Sequence, residues 1–372
     1  MTKARTEEEN KITKRVEWLE QYRLRQIKRK EVAERLGVSE RQVKRLMKRY
    51  LEEGVNGLYH KGENNENNAY NRDYKAKILG YIKTKYYDCG PSYATELLQE
   101  EDGLFVNRET LRLWMREEKL MTWTRKREPY RKRRDRKEAF GEMLQIDGCF
   151  DHWFGKDSDK TCIINLIDDA TSKNMCYMDE EETIRAAVIV LWEWIQKYGI
   201  PRSIYADRRN AYINTDLMET NNFFGQMCKN LQIRTIAAFT PQAKGRVERS
   251  NQTHQRHLKP LLRLREIATI EEANKYIKQY YLPKHNRKTS IDVPLDVHRK
   301  LPKGAKLDDY AYEIDHRKVN NDWTVKYKGK TYQILKRNFC PAKSTVYIKQ
   351  TFSGSLQIEY KGEKLTYVLI KE

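Results

Sequence analysis

Three acidic residues are the candidates for chemistry, because each stands at a place where a charge is costly or where an element begins or ends. Asp147 interrupts the apolar segment MLQIDGCF, and an uncompensated charge in a buried strand is expensive. Asp207 ends the short strand predicted in SIYADRR, and Glu248 lies near the start of the helix predicted from QAKGRVERS. The three are far apart in sequence, so only the fold could bring their carboxylates together.

Gathered carboxylates of this kind are suited to phosphodiester hydrolysis. Two Mg²⁺ ions ~3.5–4 Å apart activate a water molecule and neutralise charge at phosphorus. Mg²⁺ prefers oxygen ligands and takes few of them from protein. We therefore predict that Asp147 bridges two Mg²⁺ ions, that Asp207 and Glu248 each anchor one, and that Mn²⁺ can substitute.

Other polar residues near these acids are expected to do other work. Asp168 and Asp169 follow an apolar strand and enter a turn, so turn capping is the favoured interpretation for both. Asp151 is expected to be a surface acid. His254 and His257 share the Glu248 helix, but two-metal sites rarely need a general base, so we place them outside the site.

The segment that carries the acids, residues 138–300, alternates buried strands with amphipathic helices. The predicted order is β-β-β-α-β-α-β-α, in which a long helix over TIRAAVIVLWEWIQKYG separates the third and fourth strands. That order is the order of a ribonuclease-H-like α/β core, with helices packed on a mixed five-stranded sheet. Central strands side by side could bring two acids together, and a crossing helix could supply the third.

The composition favours a polyanionic partner. Lys plus Arg is 73 and Asp plus Glu is 53, which gives a formal net charge of +20. No apolar run approaches the ~20 residues of a membrane span, and the N-terminus lacks the apolar stretch of a secretory signal. The six cysteines are scattered with no CxxC pair, which fits reduced thiols and a cytoplasmic, nucleoid-associated protein rather than a zinc or disulfide scaffold.

Residues 1–58 contain a helix-turn-helix pattern. In KEVAERLGVSERQVKRLMKRY, Val32, Ala33 and Leu36 form one apolar face, Gly37 permits a tight turn, and Ser39 can cap a second helix. A helical hairpin with a basic solvated face is the alternative. The second helix is expected to present side chains suited to base edges and phosphates, namely Arg41, Gln42, Lys44, Arg45 and Lys48.

Residues 73–124 predict a second, winged-helix-like helix-turn-helix after a polar linker. Asn107 can cap a helix that turns Leu111, Trp114 and Met115 inward, which leaves Arg108 and Arg112 outward for DNA. A packing module that does not contact DNA is nearly as good an interpretation, and the sequence leaves the two open.

Residues 125–137, RKREPYRKRRDRK, hold nine Lys/Arg against two acids and are interpreted as a basic linker that contacts phosphates. A plain solvated linker is the alternative.

Basic and polar residues also surround Glu248, and DNA contact is favoured there over an ordinary solvated helix face: Lys244, Arg246, Arg249, Gln252 and Arg256. Residues 310–372 predict a small β-barrel of about five strands, whose contact with DNA the sequence leaves open.

Several of these segments resemble the catalytic motifs of DDE insertion-sequence transposases, which belong to the integrase superfamily. Within these transposases, the resemblance is strongest to the ISNCY group. The segments are MLQIDG, YADRRNAY and above all TPQAKGRVERSNQT. The resemblance covers nearly the whole chain and implies that Asp147, Asp207 and Glu248 are the catalytic and metal-binding acids. One departure follows Asp207, where relatives tend to have a small or Gly/His-containing stretch and this chain has Arg-Arg-Asn.

The resemblance implies cleavage at the 3′ ends of a transposon, followed by attack of the freed 3′-OH on target DNA. Its partners would be double-stranded DNA, at terminal inverted repeats and target sites, and further copies of the chain in a homodimer or larger oligomer. Two rivals are a transcription regulator with an inactive integrase-like core and a nuclease acting on RNA–DNA hybrids. The three acids in their motif contexts disfavour the first, and the tandem duplex-reading helices disfavour the second.

Overall fold

The computed structural model describes residues 2–58, 70–121, 134–207, 222–238, 245–335 and 340–371, without the side chains of residues 2–10, 207, 238 and 371. Most of the polar linker, most of the predicted basic linker, the Arg-Arg-Asn stretch after Asp207, and Lys244 lie outside the described residues. The chain divides into two compact units, Met1–Lys77 and Ile78–Glu372.

The first unit contains three helices, α1 (Thr2–Arg23), α2 (Arg29–Leu36) and α3 (Glu40–Glu53). The predicted corner is confirmed: α2 ends at Gly37 with a φ of 63°, and the Ser39 side chain accepts a hydrogen bond from the Gln42 backbone N–H at 3.3 Å. Val32 and Val43 are fully buried where α2 and α3 meet. This is the helix-turn-helix that the sequence predicts.

Three more helices follow, α4 (Arg72–Thr84), α5 (Pro91–Asp102) and α6 (Arg108–Glu117). Asn107 caps α6 by accepting from the Glu109 N–H at 2.8 Å, and Leu111, Trp114 and Met115 are buried as predicted. Between residues 70 and 121 the structure contains no strand, so this described stretch has no wing.

The core is a mixed five-stranded sheet in the order β3-β2-β1-β4-β5. Its strands are β1 (Leu144–Asp151), β2 (Thr161–Asp168), β3 (Asn174–Asp179), β4 (Ser203–Asp207) and β5 (Arg234–Ala238). The first three pair antiparallel, while β4 runs parallel to both β1 and β5. The predicted order of elements and the predicted mixed sheet are confirmed.

Helices cover this sheet, and their boundaries follow from the sequence. Helix α7 (Ile184–Tyr198) is capped by the Thr183 hydroxyl and ends at Gly199, and α8 (Phe223–Asn230) is capped by Asn222. Helix α9 (Gly245–Leu264) packs across β1 and β2. Behind it, α10 (Ile270–Tyr276), a π-helical turn (Ile277–Tyr281) and α11 (Leu282–Thr289) form one continuous helical stretch.

The C-terminal region differs from the prediction. A short helix, α12 (Leu307–Tyr310), precedes β6 (Tyr312–Lys318), β7 (Thr324–Tyr327), β8 (Lys330–Ile334), β9 (Thr345–Thr351), β10 (Leu356–Tyr360), β11 (Glu363–Leu365) and β12 (Tyr367–Lys371). The described strands form two open sheets, in the orders β11-β10-β9-β6 and β12-β8-β7, where we expected one closed barrel of about five strands.

Both C-terminal sheets share one apolar core, which includes Val325, Ile334, Ile348 and Ile358. The sheets therefore meet through side chains, and the described strands do not complete the hydrogen-bonded ring that a barrel needs. Across the described parts of the whole chain, the helices are all too short or too polar to cross a membrane.

Candidate active site

Strand pairing places two of the predicted acids on neighbouring strands. β1 and β4 are parallel, and Leu144 is paired with Ile204 and Gln145 with Tyr205. In this register Asp147 and Asp207 hold equivalent positions on the two strands. Asp207 is the last residue of β4, and its side chain lies outside the described part of the structure.

The third acid lies in the first turn of α9. This helix turns Val247 and Leu258 into the core, while the Glu248 side chain is exposed. One turn after Glu248, the Asn251 side-chain amide donates a hydrogen bond to the Asp147 carboxylate at 3.1 Å. Residues three apart share a helix face, so Glu248 lies on the part of α9 that faces the Asp147 strand.

A buried set of amide and hydroxyl side chains supports this contact. Asn165 lies directly opposite Asp147 on β2 and is fully buried. Its side-chain NH₂ donates to Asn251 at 2.8 Å and to the Ser250 hydroxyl at 2.9 Å, and Ser250 donates to Asn174 at 2.6 Å. Buried polar groups need such partners, and here the partners orient Asn251 toward Asp147.

The buried histidine and the thiol near the site are held neutral. Burial lowers the pKa of His254 well below its usual value, and its Nδ1 lies 2.8 Å from the Tyr281 hydroxyl in the protein interior. Burial raises the pKa of Cys149, two residues beyond Asp147, to about 12. The six cysteines are all buried. The metal-binding chemistry available beside Asp147 is therefore that of carboxylates.

The Asp168–Asp169 pair divides into two different roles. Asp168 accepts from the Thr171 N–H and hydroxyl, both at 2.7 Å, so its predicted turn-capping role is confirmed. The turn-capping interpretation is wrong for Asp169, whose buried carboxylate instead accepts from the arginines Arg134 and Arg246. Asp151, predicted to be a surface acid, is partly buried and pairs with Lys259 at 2.7 Å.

The residues predicted to contact DNA lie on three helices. On α9, Arg249, Gln252 and Arg256 are exposed or half-exposed, while Arg246 is partly buried on Asp169. On α6, Arg108 is exposed and Arg112 is paired with Glu109. On α3, Gln42 is half-buried. The other α3 residues predicted to contact DNA have exposed side chains, namely Arg41, Lys44, Arg45 and Lys48.

Asn251 and Asn165 are missed by the sequence reasoning, although Asn251 stands three residues after Glu248 in the segment VERSNQ. A second missed feature is Gly148, beside Asp147. A Cβ at that position would lie 2.5 Å from the carboxyl carbon of Glu182, so glycine lets the Glu182 carboxylate lie against the strand, and a larger residue would push that side chain aside. A glycine directly after an acid inside a strand is the signal that could have indicated it.

The donor set is compatible with a hard divalent cation. Asp147 and Glu248 supply carboxylate oxygens, which Mg²⁺ prefers. Among the described side chains, no group of three His, Cys, Asp or Glu could hold a metal ion. The predicted set needs the Asp207 carboxylate as its third member, and that carboxylate lies outside the described side chains.

The order of the strands in the sheet and the helices around it define a ribonuclease-H-like core, and the N-terminal helix-turn-helix is a domain of a class that binds DNA. Comparison with known proteins agrees. Residues 9–59 match the family described as "Homeodomain-like domain". The chain is 31% identical to the Sinorhizobium fredii protein named "Putative transposase y4bF", over 89% of this chain and 75% of that one.

A second relative is the "Transposase for insertion sequence IS1202" of Streptococcus pneumoniae, which is 26% identical over 87% of this chain and 78% of its own length. These relatives and the fold assign the family: this chain belongs to the insertion-sequence transposases.

Solved structures add little to that assignment. The magnesium complex of the HTLV-2 integrase catalytic core is 17% identical, with a TM-score of 0.30 over 37% of this chain and 85% of that one. A simian T-cell lymphotropic virus intasome chain is 14% identical, with a TM-score of 0.35 over 78% of this chain and 98% of that one. Overlaps this low carry no argument, and the assignment rests on the sequence relatives.

Proposed function

We propose that this transposase binds the ends of its own transposon, cleaves them by metal-dependent phosphodiester hydrolysis, and joins the freed 3′-OH ends to target DNA. Asp147, Asp207 and Glu248 would hold two Mg²⁺ ions, which Mn²⁺ could replace. When bound, such ions activate the attacking oxygen and neutralise charge on the phosphate.

The observation that carries this proposal is the contact between Asn251 and Asp147. It supports a site where the first turns of α9 meet the centre of β1, and the β1–β4 pairing at Leu144–Ile204 and Gln145–Tyr205 supports a position for Asp207 beside Asp147. Three acids from distant parts of the sequence would then meet beside the inner strands of the sheet. Asn251 would also orient the Asp147 carboxylate, as neighbouring hydrogen bonds commonly do for metal ligands.

DNA binding would use two kinds of surface. The exposed cations of α3 are suited to the major groove of the terminal inverted repeats. Arg249, Gln252 and Arg256 extend along α9 from Glu248, where they would hold phosphates of the cleaved strand or of target DNA. Because two ends are joined in one event, the active form would be a homodimer or larger oligomer assembled on DNA in the host nucleoid.

The test is Asp147→Asn, assayed on duplexes taken from the two ends of the element that carries this gene. Cleavage with Mg²⁺ should fall by more than about 100-fold, because loss of a neighbour that only orients a ligand already costs about 10- to 100-fold. Binding of the same duplexes should be unchanged. The matched control is Asp151→Asn on the same strand, which removes an ion pair with Lys259 and should leave cleavage nearly intact.

Three results would contradict the proposal. Undiminished cleavage by Asp147→Asn would remove this acid from the site. A wild-type protein that shifts the duplex and never nicks it would instead be a transcription regulator with an inactive core. Cleavage of an RNA–DNA hybrid with no action on the end duplexes would indicate a hybrid nuclease.

A further inference from the structure

Asp169, just after β2, is a completely buried carboxylate that takes no direct part in the proposed reaction. Its backbone N–H donates to the Met143 carbonyl at 3.0 Å, which fixes the residue beside the start of β1. Burying an ionised carboxylate is costly unless charged and hydrogen-bonding partners surround it. A carboxylate is therefore completely buried only where such partners are present.

Donors from several parts of the chain supply that compensation. The carboxylate accepts from Arg246 Nε at 2.8 Å, from the Gln145 side-chain NH₂ at 2.7 Å, from the Lys137 backbone N–H at 2.8 Å, and from Arg134. Arg246 belongs to α9, Gln145 belongs to β1, and the other two belong to the end of the predicted basic linker. One buried charge therefore joins three separate parts of the chain.

Gln145 extends this junction to the start of α9. It is almost completely buried, and its side-chain oxygen accepts from the Val247 backbone N–H at 3.2 Å. The first N–H groups of a helix have no partner within the helix, so this bond fixes a helix terminus that would otherwise need water. Glu248 is the next residue, and Gln145 lies two residues before Asp147 on the same face of β1.

We propose that Asp169 is a positioning residue for the reaction, holding the Glu248 end of α9 against the Asp147 strand through Arg246 and Gln145. This inference rests on the proposed function, because it matters only if Asp147 and Glu248 act together. It also changes the interpretation of Arg246, whose first role becomes that of an anchor, with its Nη2 donating to the Arg134 carbonyl at 3.2 Å.

The same carboxylate fixes the end of the basic linker. Arg136 adds two bonds nearby, to the Ala170 carbonyl at 3.0 Å and to the Ser172 hydroxyl at 2.8 Å. The described chain therefore enters the core, at residues 134–137, at the point where the Glu248 helix is anchored. The position of the linker end and the position of the catalytic helix are set by one group.

Asp168 provides a matched control, since it is the neighbouring residue and is equally buried. Its carboxylate accepts from the Thr171 turn and from the Gly141 N–H at 3.0 Å, away from α9. Full-length Asp169→Asn and Asp168→Asn would be compared with wild type by amide hydrogen exchange of residues 246–251 in magnesium-free buffer. Asp169→Asn should exchange there roughly tenfold faster or more, because charge-assisted bonds at the helix start are removed. Asp168→Asn should leave that exchange unchanged.

Magnesium titration of cleavage gives the second readout. Asp169→Asn should need about 10- to 100-fold more Mg²⁺ for half-maximal cleavage, as expected for loss of a group that orients ligands, whereas Asp168→Asn should titrate like wild type. If Asp169→Asn does not fold, Arg246→Lys replaces it. Lysine keeps the charge for DNA but lacks the guanidinium that bridges Asp169 and the Arg134 carbonyl, so it should also speed exchange at residues 246–251.

Unchanged exchange in both Asp169→Asn and Arg246→Lys, or equally faster exchange in Asp168→Asn, would overturn the anchoring role. If the wild-type protein does not cleave end DNA, the proposed function fails, and the exchange comparison still decides whether Asp169 holds the helix.

Discussion

The two three-helix regions that precede the core have different surroundings. The first, α1–α3, forms a compact unit whose third helix, α3, is rich in exposed cations. The second, α4–α6, lies mostly in the unit that contains the catalytic core, and its helix α5 presents acids. From the sequence, DNA binding and packing on the protein are both open for this second region.

The structure shows that α5 packs on the core helices. Arg265 pairs with Glu101 at 2.5 Å, Lys284 pairs with Glu100, and Lys288 pairs with Glu96. The rings of Tyr93 and His257 stack at 4.1 Å across the same junction. An acidic face on α5 therefore meets basic side chains of α11 and of the loop after α9, so the packing interpretation holds for α5, while α6 remains available for DNA.

The difference leads us to expect that the charge on the outer face of each region decides whether it binds DNA or packs on the protein. Among the residues that the structure describes, Arg41, Lys44 and Arg45 have no ion-pair partner, whereas Arg112 on α6 is paired with Glu109. The first region should therefore dominate DNA affinity.

The largest effect is expected from paired arginine substitutions. Arg41→Ala with Arg45→Ala should weaken binding to end DNA by about 10- to 100-fold for each arginine that reads a base, since such an interaction is worth about 1–3 kcal/mol. Arg108→Ala with Arg112→Ala should have a smaller effect, because Arg112 already has a carboxylate partner. Fluorescence anisotropy across a salt series would measure both, with the log–log slope falling by about 0.9 for each phosphate that is no longer neutralised. Equal loss of DNA affinity in the two double variants would contradict the expected difference between α3 and α6.

The second-largest effect is expected in the stability of the core at acidic pH. Residues 2–58 contain no histidine, whereas His285 beside the α5 junction is buried and burial lowers its pKa to about 4. Below about pH 6.5 the His285 imidazole takes up a proton in the unfolded chain but stays neutral in the folded chain. The free energy of unfolding is therefore highest above that pH and falls toward pH 4. Between pH 7 and pH 5 the core should lose about 2 kcal/mol for this group.

Denaturant unfolding at the two pH values, followed by hydrogen exchange in each region, would measure that loss. His285→Gln should reduce the pH dependence of the core by about this amount, while buried His254 keeps a loss of its own, and it should leave residues 2–58 unaffected. A decrease of the same size in the variant would assign the acid sensitivity to other groups.

The smallest effect is expected from the ion pairs between α5 and the core helices. Glu96→Lys faces Lys284 and Lys288 and should destabilise the packing of α5 by about 1–2 kcal/mol, because Glu96 is only 18% exposed. The control is Glu52→Lys in the first region, whose pair with Lys48 spans 3.7 Å between highly exposed side chains and should change stability by less than about 0.5 kcal/mol. Recovery in Glu96→Lys combined with Lys288→Glu would show that charge pairing is responsible, and thermal unfolding would measure all three.

Much of the fold could be predicted because local patterns specify it. Gly37 and Ser39 define a corner, Thr183 and Gly199 bound α7, and apolar segments alternating with amphipathic ones give the order of strands and helices along the chain. The acids could be chosen because Asp147 interrupts a buried strand. The docking role of α5 could not be predicted, since its acidic residues look like an ordinary solvated face until a basic partner is known.

Long-range side-chain contacts also could not be predicted from the sequence. Asn251 and Asn165 meet across a helix and a strand, and Asp169 gathers groups from β1, α9 and the linker; no local spacing encodes these contacts. The prediction for the C-terminal region was wrong because short strands with alternating polarity specify neither their number nor whether a sheet closes. Both outcomes depend on pairing between distant segments.

The parallel pairing of β1 with β4 has an evolutionary consequence. Because the pairing of Leu144 with Ile204 and of Gln145 with Tyr205 sets the level of Asp147 against Asp207, the loops between the strands can gain or lose residues without changing that level. A slip of one residue in either strand would instead turn its acid to the opposite face of the sheet. Under the proposed function, we therefore expect descendants of this gene to tolerate changes in the distance between the two acids along the sequence, but not changes in the alignment of the two strands.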